Sequence, residues 1–91
     1  MRPTFEVVDP RLGVPVRTVP GHTDDEVVAF VAQSHAAWQD WRRTDFATRA
    51  AVLQRASTVL LDRRDHYAAI MTEEMGKPIA QARSEVEKCA W

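Results

Sequence analysis

At Thr23 the hydrophobic pattern changes its period from two to nearly four, and that change divides the chain. The first 22 residues hold four of the five prolines, two of the three glycines and two β-branched clusters. Phe5-Glu6-Val7-Val8 and Val14-Pro15-Val16-Arg17-Thr18-Val19 read as two short strands. Asp9-Pro10-Arg11-Leu12-Gly13 between them has turn chemistry, because Pro presets φ and Gly accepts positive φ. Pro15 suits an edge strand, since it cannot donate to a ladder. The spacing predicts a β-hairpin over about residues 5–19. A lone hairpin is marginal in water and must lie against something else.

After Thr23 the pattern is helical. Thr23-Asp24-Asp25-Glu26 is a capping box, in which the hydroxyl caps a backbone N–H and the Glu reaches back. Val27, Val31, Ser34, Trp38 and Trp41 share one face of a helix over about 24–41. Thr44-Asp45 offers a second N-cap, followed by the stripe Phe46, Ala50, Leu53, Ser57 and Leu60 over about 45–61. Asp62-Arg63-Arg64-Asp65 is a polar break. Tyr67, Ile70 and Met71 line a third helix over about 64–75. Gly76 fits the position after that helix, and Pro78 fits the first turn of a fourth over about 78–91. Ile79, Ala82, Val86 and Cys89 line this last helix, which places the thiol on a packed face. The predicted fold class is α+β, a hairpin followed by four helices. The fourth helix stops at Cys89-Ala90-Trp91 with none of the usual stop residues, so the coding sequence is expected to continue.

Composition excludes several functions. Twelve basic against thirteen acidic residues leave a formal charge of -1, without the basic excess of a nucleic-acid or membrane-surface module. No apolar run approaches the roughly 18 residues of a membrane span. A single Cys permits no intrachain disulfide and fits a reducing, cytoplasmic compartment.

Chemistry-bearing constellations are scarce. His22, His35 and His66 form no pair at i, i+3 or i+4, and none has Cys at a zinc spacing. Three scattered glycines build no phosphate-cradling loop, and Gly76-Lys77 lacks the upstream Gly of a P-loop. A packed Cys89 would be an inert thiol with a raised pKa. Trp38 and Trp41 could form a cofactor platform, though such a pair is more often core or a docking surface. Arg42-Arg43 and Arg63-Arg64 sit at helix ends beside Asp45, Asp62 and Asp65, where solvated caps are the simpler reading. Glu73 and Glu74 are neighbours and point about 100° apart on a helix, so they are no facing acid/base pair. The residues give no catalytic and no cofactor-binding group.

Five segments in order nevertheless carry a resemblance. They are Val8-Asp9-Pro10 with Gly13, His35-Ala36-Ala37-Trp38 through Trp41, Phe46-Ala47-Thr48-Arg49-Ala50 with Leu53, Met71-Thr72-Glu73-Glu74-Met75-Gly76-Lys77-Pro78, and Glu85-Val86-Glu87-Lys88-Cys89-Ala90. Together they resemble the N-terminal part of an NAD(P)-dependent aldehyde dehydrogenase, and the match runs from Phe5 almost to the end. The Met-Gly-Lys-Pro form and the Glu-Val-Glu-Lys-Cys-Ala segment are most similar to succinate-semialdehyde dehydrogenases. Glu73 departs from the pattern, where relatives often carry Leu, and implies altered packing.

The resemblance implies an α/β parent enzyme of several times this length and a homo-oligomer. It implies attack of a thiolate on an aldehyde, hydride transfer to NAD or NADP, and hydrolysis of the thioester. The catalytic Cys, the general-base Glu and the cofactor segments would lie beyond position 91, and Cys89 does not match the catalytic thiol. The 91 residues alone are expected to be inactive, with the rest of the dehydrogenase as their partner and an aldehyde as the parent's substrate. Some family members bind a monovalent cation at positions matching the Val8 carbonyl and the Glu74 carboxylate, oxygen donors that suit a hard ion. A solvated Glu74 near a helix C-terminus is the alternative there. A standalone helical interaction module derived from such an enzyme is the competing reading of the whole chain, and a small cofactor carrier is a third.

Overall fold

A computed structural model describes residues 1–91 and contains a two-stranded antiparallel sheet followed by four helices. Strands β1 (Thr4–Asp9) and β2 (Val14–Pro20) pair from Thr4↔Pro20 to Asp9↔Val14. The ladder skips Val16, because Val7 faces Arg17 and Val8 faces Pro15. This bulge falls beside the proline, where a ladder hydrogen bond is already lost. The Asp9 carbonyl accepts from the Leu12 and Gly13 amides at 3.1 and 2.7 Å, and Gly13 takes φ +69° to close the turn.

Helix α1 (Asp24–Trp41) starts at the expected capping box. The Glu26 amide donates to Thr23 Oγ1 at 3.3 Å, and the Thr23 amide donates to Glu26 Oε2 at 2.9 Å. Helix α2 (Phe46–Asp62) is capped by Asp45, whose Oδ1 accepts from the Thr48 amide at 2.8 Å. The polar break reduces to Arg63, which ends α2 and precedes α3 (Arg64–Met75). Gly76 terminates α3 in the left-handed conformation at φ +72°. Pro78 stands one position outside α4 (Ile79–Ala90), extended at ψ 135°, so it caps the helix where the sequence suggested its first turn.

The packing is uneven. α3 packs along α4 and against β1, and α2 packs mainly on α4. The fully buried apolar residues are Ala68 on α3 and Ala82 and Val86 on α4. The sequence stripes include Ala82 and Val86 but omit Ala68. α1 packs on no other element, and its Val27, Val31, Trp38 and Trp41 are exposed. Cys89 also departs from expectation. It is exposed, because only α2 lies beside the last turn of α4 and the groove between them stays open.

The molecule is therefore a flat arrangement of 48 × 39 × 14 Å with a radius of gyration of 17.4 Å. A compact chain of this length has a radius near 12 Å. Its accessible surface is 7275 Å². A compact monomer of the same mass exposes about 5,400 Å², so roughly 1,900 Å² is surplus. No helix is long and apolar enough to cross a membrane.

Candidate functional site

A polar tertiary junction lies where the hairpin meets the C-terminal end of α3. Asp9 anchors its hairpin side and is almost fully buried. Its Oδ1 accepts from the Arg11 amide at 2.8 Å, and its Oδ2 accepts from Arg11 Nη2 at 2.8 Å. The residue order Asp-Pro-Arg produces this arrangement, since an Asp side chain bonds readily to the backbone two residues on. The Arg11 hydrogen bonds hold the Asp9 carboxyl below its ordinary range, against the opposing cost of burial. The next residue, Pro10, lies against Gly76. A Cβ placed on Gly76 would come within 2.9 Å of the Pro10 ring. Gly76 is thus required twice, by its positive φ and by the approach of the turn.

Arg17 supplies the electrostatic half of the junction. One guanidinium nitrogen donates to Glu73 and the other to Glu74. Two carboxylates that diverge on the α3 surface are gathered by one planar, two-pronged cation, a geometry that Lys cannot reproduce. The unusual Glu73 thereby acquires a partner on β2, and this contact is invisible to any local pattern. Thr72, one residue earlier, donates its hydroxyl to the Lys77 carbonyl at 2.7 Å and so ties the end of α3 to the approach to α4.

Val8 and Glu74, the two positions matched to a cation site, both belong to this junction. Val8, on β1, pairs with Pro15 just past the bulge that Val16 makes in β2, and is exposed. The Glu74 carboxylate already carries the Arg17 guanidinium, which supplies the positive charge a cation would bring. No group of three or more His, Cys, Asp or Glu residues is placed to hold a metal ion. Two oxygen donors, one of them engaged by Arg17, do not make a cation site from these residues alone.

The other candidates stand apart from one another. His22 is 3.5 Å from Glu26 and meets Phe30 edge-on. His35 contacts Gln39 and Trp38 on α1, and His66 contacts Tyr67 on α3. Cys89 lines a groove of about 510 Å³ with Leu53, Leu60 and Trp91, and no histidine lines it. The Trp38–Trp41 face borders an open groove of about 660 Å³, and Arg42 stacks over Trp38 at 5.1 Å. At the polar break Arg64 does more than solvate a cap, while the Arg63 side chain makes no ion pair. Arg64 bonds Glu87 at 2.6 Å and Arg83 bonds Asp65 at 3.0 Å, which joins α3 to α4. None of these arrangements pairs a nucleophile with a base.

Comparison with known proteins fits a chain rich in junctions and poor in chemistry. It is 42% identical over 83 residues to succinate-semialdehyde dehydrogenase [NADP(+)] 1 of Mycobacterium tuberculosis (H37Rv), an alignment covering 91% of this chain and 18% of that protein. The same figures hold for the probable succinate-semialdehyde dehydrogenase [NADP(+)] of Synechocystis sp.. The succinate-semialdehyde dehydrogenase [NADP(+)] of Deinococcus radiodurans is 34% identical over 86 residues, covering 94% of this chain and 18% of its own. The chain thus spans about a fifth of the length of the curated relatives it matches. The sequence model of the aldehyde dehydrogenase family matches residues 1–91, from the first residue to the last, and the chain belongs to that family.

Proposed function

We propose that the chain serves as the N-terminal part of an NAD(P)-dependent aldehyde dehydrogenase that oxidises succinate semialdehyde to the dicarboxylic acid. The observation that carries this reading is the 42% identity to succinate-semialdehyde dehydrogenases, which covers 91% of the chain. NADP is the proposed cofactor because it is the one in those relatives' names. In this role the 91 residues supply structure, and the reacting groups come from the rest of the enzyme. Phe5, Val8, Val14, Val16 and Val19 of the hairpin and Leu53 of α2 beside Trp91 are exposed apolar side chains, as expected of surfaces that a larger enzyme covers. A cytoplasmic, homo-oligomeric parent belongs to the same proposal.

The Val8 carbonyl and the Glu74 carboxylate remain proposed as two of the oxygens around an alkali cation in that parent. The other oxygens would come from outside these residues, and Arg17 would have to release or share Glu74. Unchanged alkali-ion affinity in a Glu74→Gln variant of the complete enzyme would remove this part of the reading.

A chimera tests the main proposal. Residues 1–91 replace the matching segment of the Mycobacterium tuberculosis relative, and NADPH formation is followed with succinate semialdehyde. The expected result is an active chimera, while the 91-residue chain alone gives no turnover. A soluble but inactive chimera, or aldehyde oxidation by the 91 residues, would overturn it.

A further inference from the structure

We draw no further inference here: the strongest candidate, the exposed apolar face of α1 with the open groove beside Trp38 and Trp41, is an unpartnered surface, and nothing in the structure shows what covers it.

Discussion

Ser57 on α2 donates its hydroxyl to the Ala90 carbonyl of α4 at 2.7 Å, which ties the two helices together. This tertiary contact gives the Ala90 carbonyl a donor from a neighbouring helix. Ser57→Ala should cost about 1 kcal/mol, the usual net value of a partly buried hydrogen bond. Urea unfolding followed by circular dichroism measures it, and amide exchange should accelerate first at the end of α4. An unchanged midpoint would mean that water serves the Ala90 carbonyl equally well.

The Gly76–Pro10 approach makes a stronger claim on stability. Gly76→Ala puts a Cβ into a residue at φ +72° and brings it within 2.9 Å of the Pro10 ring. The left-handed conformation alone costs a non-glycine residue about 1 kcal/mol or more, and the contact forces the hairpin to shift. A loss of about 1–3 kcal/mol is expected. The companion Gly76→Ala/Pro10→Ala variant should recover the steric part and leave the backbone part.

Much of this fold could be read along the sequence, because its signals are local. The capping box at Thr23–Glu26, the Asp45 cap, the positive-φ glycine at 76 and the turn from Asp9 to Gly13 each act within a few residues. What could not be read is tertiary. Glu73 gave no hint of Arg17, which lies 56 positions away, and Ala68 was too small to mark a stripe although it is fully buried. Cys89 follows the same periodicity as Ala82 and Val86, yet periodicity cannot tell whether a neighbouring helix covers the final turn. The candidate junction was legible in its local parts, the Asp9–Gly13 turn, Gly76 and the positions Val8 and Glu74, but not in the contacts that join them. Asp9 was legible as part of a turn, but Arg17 carried no local sign of its reach to Glu73 and Glu74.

The α3–α4 contact depends on side-chain size. Ala82 is fully buried, so a longer side chain there must push the helices apart. Ala82→Leu should destabilise by about 1–3 kcal/mol through overpacking. At the exposed neighbouring position 81, Gln81→Leu should change stability by less than about 0.5 kcal/mol. Paired urea titrations distinguish the two, and equal effects would show that the helices part without cost.

The Arg17 tie is expected to be modest and sensitive to salt. Its three side chains remain 38%, 38% and 40% exposed, so solvent screens the attraction. Arg17→Ala should cost less than about 1 kcal/mol, with the difference shrinking in high salt. Arg17→Lys should recover only part of it, because an ammonium cannot engage both carboxylates in the forked geometry. A salt-independent loss would point to packing of the Arg17 stem as the real contribution.

Acid should unfold the chain through a small set of carboxylates. Asp9 is held below its ordinary value of 3.8 by hydrogen bonds from Arg11, and Asp65 by one from Arg83. Asp45 is lowered by its hydrogen bonds to Thr48, and Glu26 is lowered from 4.5 chiefly by the Thr23 amide. Each group is more acidic folded than unfolded, so its stabilisation is complete above the unfolded pKa and disappears as pH falls through the folded one. The melting temperature should therefore hold level from pH 7 to about 5 and fall progressively below that. Asp45→Asn provides the control. Asn still caps a helix but cannot titrate, so the variant should keep most of its stability at pH 7 and lose less on acidification. A melting temperature flat to pH 3, or an acid limb unaltered by Asp45→Asn, would show that these charge-assisted bonds do not carry the pH dependence.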